Sequence, residues 1–340
     1  MSPEALKLPH TKDDFVSNQQ VRWCPGCGDY SILAMVQRTL AKLNIPKENY
    51  AFISGIGCSS RFPYYMNTYG FHTVHGRALA IASGFSIARP DLSTWVITGD
   101  GDALSIGGNH LLHSLRRNMD FKVLLVNNQI YGLTKGQCSP TSQFGKVTKS
   151  TPFGSIDHPI AGLSLALASG ASFVARTLDT DPKHLGDTLE RAAAHRGTAF
   201  VEIYQNCVIF NDKDFAPVTG RENREDRMIY LEDNKPLVFG KKRDRAIQMN
   251  GLVPEITEYK EGANDRNLLV HRVDTPTSHY AYMLSQLNYP EMPVPFGVFR
   301  DVKQTPYGEL VEKQIQEAIK SQGAGDLKSL IYGGPIWRVD

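Results

Sequence analysis

The sequence predicts an α/β fold: a mostly parallel sheet with helices on both faces, followed by an irregular C-terminal tail. Three observations carry this. Between residues 21 and 210, short β-branched or aromatic apolar runs alternate with helix-length periodic stretches, the pattern of strand–helix–strand units. The chain has 340 residues, 41% apolar and 21% charged, enough to fill a sizeable core. From 211 to 250 the apolar periodicity fades and 17 of 40 residues are charged. These mark an N-terminal arm (1–20), a main module (21–210) and a C-terminal extension (211–340).

The elements follow in order. Ile32, Val36, Leu40 and Leu43 recur at helical spacing before Pro46. Ala51–Ser54 is a buried strand. Ala78–Ala88 is a helix stopped by Pro90, and Trp95–Thr98 the next strand. Ile106–Arg117 is a helix and Lys122–Val126 a strand. Pro159–Ala175 is uncharged, but its Ser, Gly and Ala content makes it a poor membrane span, which needs about 20 strongly apolar residues. It reads instead as a helix capped by Asp157, with Pro159 in its first turn and Gly170 closing it, before a strand at Ser172–Ala175. Ala199–Tyr204 is the last strand. Pro276, Pro290, Pro293 and Pro295 mark loops in an extended, surface-running tail.

Composition also excludes functions. Lys plus Arg is 37 and Asp plus Glu 35, a formal charge of +2, so no basic face for nucleic acid is expected. The 5 cysteines are an odd number, unlike a disulfide framework. The opening MSPEALKLPHTKDD lacks the apolar core of a signal peptide, and a cytoplasmic, reducing environment is expected.

The chemistry lies at strand ends, where parallel sheets bind ligands. Gly-Asp-Gly-Asp (99–102) follows one predicted strand and Asn127-Asn128 follows the next. Asp100 and Asn128 stand 28 positions apart, one crossover between them, and should emerge side by side. A carboxylate plus an amide oxygen suits Mg²⁺ holding a phosphate, and the glycines let backbone approach it. Cys24 and Cys27 form a CxxC before the first helix, Cys58 follows the first strand and Cys207 the last. All four should reach the same edge, where four thiolates suit either Zn²⁺ or an iron–sulfur cluster. Cys138, in a loop, reads as a bystander.

The GDG…NN pattern resembles the diphosphate-binding motif of thiamine diphosphate enzymes, which implies that Asp100, Asn128 and the Ile130 carbonyl hold Mg²⁺. A one-electron acceptor would be useful beside such a cofactor, which favours a [4Fe–4S] cluster over zinc. Together WCPGCGDYSIL, GIGCSSR, HGRALAIASGF, GDGDALSIGGNH, NNQIYGLTKGQ and the late NC resemble 2-oxoacid:ferredoxin oxidoreductase beta subunits, most nearly those acting on 2-oxoglutarate. The resemblance spans about Val21 to Cys207. It implies a thiamine diphosphate-binding fold carrying the cluster, and CoA-dependent oxidative decarboxylation of 2-oxoglutarate to succinyl-CoA and CO₂, with electrons passing to ferredoxin. It also implies an alpha subunit that supplies the pyrimidine-binding module and the activating glutamate, in a heterodimer or dimer of heterodimers. By the same resemblance Ile56, Gly57, Cys58, Ser59, Val74, His75, Gly76, Arg77, Gly101, Asp102, Gly132 and Leu133 are cofactor contacts.

Arg61 and Lys135 are the expected substrate-carboxylate contacts. The lysine of the LTKGQ stretch resembles enzymes that accept 2-oxoglutarate. Arg61 departs from the Lys that such enzymes often carry there, and its bidentate guanidinium can tighten carboxylate selection. The alternatives are action on pyruvate or several 2-oxo acids, a non-redox thiamine enzyme, and a zinc-stabilised or electron-carrying binding protein without catalysis.

Overall fold

A computed structural model describes residues 9–262, 267–335 and 337. The first helix, α1 (Asp29–Leu43), buries Ile32, Leu33, Val36 and Leu40 as one stripe and stops at Asn44, which turns left-handed at φ 52. Then come β1 (Tyr50–Ser54), the short helix α2 (Phe62–Tyr65), β2 (Tyr69–His72) and α3 (Ala78–Ala88). They lead into β3 (Ser93–Gly99), α4 (Asp100–Leu104), α5 (Gly108–Arg116) and β4 (Lys122–Asn127). A long loop then leads to α6 (Gly162–Ala168), β5 (Phe173–Leu178), α7 (Pro182–Ala194) and β6 (Ala199–Tyr204).

The five expected strands and the additional β2 form a parallel sheet, in the order β2-β1-β3-β4-β6-β5. β1, β4 and β5 are buried along their whole length, which is why YAFI, VLLV and FVA read as unbroken apolar runs. Alternate side chains feed two core layers. Phe52, Ile97 and Leu124 meet Ile32 and Leu40 of α1 and Leu185 and Leu189 of α7. Ile53, Val96 and Val123 meet Leu79 of α3, Leu111 of α5 and Leu163 of α6. Helix α7 was not assigned from the sequence, although its signals are present: Asp181 caps the His184 N–H at 3.1 Å, with Pro182 at the first position. Among the described residues no helix is long and apolar enough to cross a membrane.

Two expectations are corrected. The helix expected from Asp157 starts at Gly162 instead, while Gly170 does turn left-handed at φ 81. The preceding loop holds its start back: the Ile160 N–H bonds the Pro140 carbonyl at 2.8 Å, and Gly145 and Ser155 pair at 2.7 Å. Nor are residues 228–301 a surface tail. After α8 (Ala216–Thr219) and α9 (Arg224–Arg227), they supply β7 (Met228–Tyr230) and an antiparallel sheet of β8 (Val238–Phe239), β9 (Arg245–Asn250) and β10 (Val253–Glu258). They then supply α10 (His279–Ser285) and β11 (Val294–Asp301). β11 joins the main sheet antiparallel to β5 and parallel to β7, burying Phe296 and Phe299. Pro295 and Gly297 hid it, since both punctuate strands. Pro295 is tolerated because residues 294–296 pair with β7 and the β5 pairing begins at Gly297. Beyond 301 the chain does run over the surface, with no residue of α11 (Tyr307–Gln322) or α12 (Leu327–Ile331) buried.

One buried ion pair braces the sheet. Arg176 on β5 bonds Glu202 on β6 at 2.8 Å, and the other Glu202 oxygen accepts from Asn127 at 2.9 Å. Replacing Glu202 by Leu strands a buried guanidinium and an amide, and should destabilise the chain by about 3–5 kcal/mol. Chemical unfolding measures this; a loss below about 1 kcal/mol would show that the pair is dispensable.

Candidate active site

Strand register brings the motifs to one edge. Gly99 pairs with Val126 and Asn127 with Tyr204, so Asp100, Asn128 and Gln205 leave adjacent strands within one residue of the same level. Asp100 is 3% exposed, and one of its oxygens accepts hydrogen bonds from Ser139 Oγ at 2.5 Å and Thr141 Oγ1 at 2.6 Å. Burial pushes its carboxyl up from the usual range, against the pull of those hydroxyls. Among the described residues, no cationic side chain pairs with it. Beside it, Gln129 turns left-handed at φ 56 and the Ile130 N–H bonds Asn128 Oδ1 at 3.1 Å, curling the backbone round the Asn128 side chain. A buried, uncompensated carboxylate, an amide oxygen and a backbone carbonyl form a hard-oxygen donor set that fits Mg²⁺. Gly101 allows this packing, because a Cβ there would lie 2.1 Å from the Tyr131 ring.

Asp102 borders the same cavity, but both its oxygens are committed. Oδ2 accepts from Thr98 at 2.8 Å, and Oδ1 from the Gly76 N–H at 2.7 Å and the Ile56 N–H at 3.2 Å. It ties the loops after β1 and β2 to the end of β3. The cavity, about 130 Å³, is lined by Ile56, Gly57, Cys58, Ser59, His75 and Gly101 among others, and reaches Asn128, Ile130, Gly132 and Leu133. Val74, Gly76 and Arg77 do not line it. Val74 is 64% exposed, and Arg77 bonds the Ile106 carbonyl at 3.3 Å.

A second cavity of about 210 Å³ adjoins the first. Cys24, Cys27, Cys58 and Cys207 all line it, with Asp29, Arg61, Lys135 and Gln205. The Cys27 N–H closes a turn onto the Cys24 carbonyl at 3.0 Å, and Trp23 Nε1 donates to the Cys58 carbonyl at 2.7 Å. Gly132 faces two of the thiols: a Cβ there would sit 3.5 Å from Cys207 Sγ and 3.6 Å from Cys58 Sγ. Among the described residues, no three His, Cys, Asp or Glu side chains are arranged to hold a single metal ion. A tetrahedral zinc needs its thiolates about 2.3 Å from one point. Four cysteines lining one cavity are a soft donor set that suits an iron–sulfur cluster. Burial, reinforced by Asp29, pushes the Cys27 thiol up and the Cys58 thiol to about 12, so thiolates here call for a positively charged iron or metal centre. Cys138 lies elsewhere, with its sulfur 3.4 Å from Thr151 Oγ1 and 3.7 Å from the Lys146 carbonyl.

The structure thus gathers Asp100, Asn128 and Ile130 at one cavity and the four cysteines with Arg61 and Lys135 at the next. Arg61 Nε is buried without a partner. Several site residues escaped the sequence reading. Ser139 and Thr141 orient Asp100 from 39 and 41 positions away, a distance across which no local pattern reports. Asp29 is 1% exposed beside Cys27, and burial with the nearby Asp179 pushes its carboxyl up to about 7. Asp179 comes so close that a Cβ on Gly28 would lie 1.8 Å from its oxygen. An acidic residue opening a helix signals only favourable end electrostatics, so nothing in the sequence separated Asp29 from an ordinary first-turn aspartate.

Comparisons with known proteins add to the geometry. Residues 55–203 match the family model described as thiamine pyrophosphate enzyme, C-terminal TPP binding domain. The chain is 49% identical, over 98% of its length and 89% of the relative's, to the 2-oxoglutarate oxidoreductase subunit KorB of Mycobacterium tuberculosis. It is 44% identical, over 62% of its length and 65% of the relative's, to the beta subunit of 2-oxoacid:ferredoxin oxidoreductase 1 of Aeropyrum pernix. It also resembles, with a TM-score of 0.76 and 31% identity over 98% of both chains, a solved structure of the 2-oxoglutarate:ferredoxin oxidoreductase of Magnetococcus marinus with 2-oxoglutarate, coenzyme A and succinyl-CoA bound.

Proposed function

The chain belongs to the family of 2-oxoacid:ferredoxin oxidoreductase beta subunits, and we propose that it acts there on 2-oxoglutarate. The reaction joins 2-oxoglutarate and coenzyme A into succinyl-CoA, releases CO₂ and passes two electrons to ferredoxin. Thiamine diphosphate, when bound, supplies the nucleophilic carbon and the electron sink for decarboxylation, and the [4Fe–4S] cluster the one-electron outlet to ferredoxin.

The chain's own residues prepare this chemistry. Asp100, Asn128 and the Ile130 carbonyl would hold Mg²⁺, which would supply positive charge for the diphosphate, while Asp102 fixes the loops around it. Cys24, Cys27, Cys58 and Cys207 hold the cluster. Arg61 and Lys135 bind the substrate's carboxylates. The observation that carries this reading is the shared wall: Cys58, Asn128, Gly132 and Leu133 line both cavities, so cofactor and cluster would stand next to each other. The thiamine module spans 21–210, with 211–340 an extension, part of which packs back onto it. The partner alpha subunit completes the active site in a heterodimer or dimer of heterodimers, working in the cytoplasm with neither membrane nor nucleic acid.

The test is steady-state turnover of the anaerobically purified complex with coenzyme A and ferredoxin, comparing 2-oxoglutarate with pyruvate. A preference for pyruvate would overturn the substrate assignment, and a colourless, zinc-containing protein would overturn the whole reading. Lys135→Met should raise the KM for 2-oxoglutarate about 10- to 150-fold, the worth of a charge-assisted hydrogen bond of about 1.5–3 kcal/mol. Pyruvate, lacking a distal carboxylate, should be handled almost unchanged. Equal effects on both substrates would assign Lys135 elsewhere.

A further inference from the structure

We infer that Gln205 sets the reduction potential of the cluster by donating a hydrogen bond to Cys27; this rests on the cluster assignment proposed above. Gln205 follows β6 directly, and its backbone N–H bonds the Asn127 carbonyl at 2.9 Å, extending the β4–β6 ladder. Its side chain is 1% exposed. Nε2 donates to the Asn206 carbonyl at 2.6 Å and to Cys27 Sγ at 3.2 Å. These two bonds use both amide hydrogens. They also fix the orientation of the amide, since a flipped group would set its oxygen against the Asn206 carbonyl.

The arrangement is costly to fold. Gln205 Oε1 is buried without a partner, whereas an apolar side chain of the same length would leave no unpaired group. Gly28 makes room, because a Cβ there would come 3.0 Å from Gln205 Cγ. The amide therefore contributes something that packing does not require. An N–H dipole pointed at a ligating sulfur stabilises the reduced cluster, which carries one more negative charge, over the oxidised one. The potential rises as a result. Gln205 makes and breaks no bond: it biases the one-electron reduction of the cluster by the cofactor and its reoxidation by ferredoxin. It is a positioning residue that acts through Cys27.

The test is an electron-paramagnetic-resonance redox titration of the complete alpha–beta complex, comparing wild type with Gln205→Met and Gln205→Leu at equal iron content. Both variants should titrate at more negative potential. At the wild-type midpoint their reduced-to-oxidised ratio should fall about threefold, about 28 mV at 59 mV per tenfold for one electron. An unchanged or higher midpoint in a fully loaded variant overturns the inference. A wild-type complex without iron overturns the cluster assignment instead. Should neither variant load, wild-type protein labelled with ¹⁵N in its glutamine side chains answers the question. A ¹⁵N hyperfine coupling to the reduced cluster supports the bond, and its absence overturns it.

Discussion

Cys58→Ser, purified anaerobically with the partner chain, should lose the iron–sulfur chromophore and reduce ferredoxin more than about 100-fold more slowly, since even outer-shell changes at metal sites cost about 10–100-fold. Cys58 is the most telling of the four cysteines because it lines both cavities. Serine keeps its shape but offers a hard oxygen where a soft thiolate is needed. Thiamine diphosphate binding should survive, because Asp100, Asn128 and Ile130 keep their positions; calorimetric titration of the variant reads this directly. Cys138→Ser is the control. Its sulfur hydrogen-bonds Thr151 and the Lys146 carbonyl and lines neither cavity, so its iron content should match wild type. The reverse pattern, iron lost in Cys138→Ser and kept in Cys58→Ser, would break the four-cysteine assignment.

Asp100→Asn should weaken Mg²⁺-dependent thiamine diphosphate binding at least about 100-fold, or about 2.8 kcal/mol. The same substitution should raise the melting temperature of the cofactor-free chain. Burial raises the Asp100 carboxyl in the folded state, so its ionised form disfavours folding above the ordinary carboxylate pKa, and that destabilisation grows as pH rises through the folded value. Asparagine removes the charge and can still accept from Ser139 and Thr141. Affinity lost with stability gained is the signature of a site strained for function. Thr141→Val, which deletes one of the two hydroxyls orienting Asp100, should fall between wild type and Asp100→Asn in affinity, and Thr141→Ser should restore it. Affinity unchanged in Asp100→Asn would remove Asp100 from the metal site.

The strand ends were legible because they obey local rules. WVIT and KVLLV are apolar runs closed by GDG and NN, and a buried parallel strand can hardly be written otherwise. The cysteines were legible because each follows a recognisable strand or a CxxC turn. The strand Val294–Asp301 was not: Pro295 and Gly297 are loop signals, and only pairing split between two neighbours makes them compatible with a strand. The start of α6 was misread for a related reason. Asp157 is a fair cap in isolation, but the loop that carries Ser139 and Thr141 under Asp100 holds that backbone in a different shape.

Periodicity, turn chemistry and motif spacing are short-range properties. They were enough for the parallel sheet and for placing the candidate ligand motifs at strand ends, while the family came from the resemblance of those motifs. Contacts across tens of residues leave no such trace. Ser139 and Thr141 on Asp100, Asp102 binding two loops to the end of β3, and Gln205 on the Cys27 sulfur depend on strand register and close packing, which exist only once the sheet has assembled. The candidate ligands therefore stand in recognisable motifs, while the groups that hydrogen-bond them arise from the fold, because burial determines which polar side chains must find a partner there.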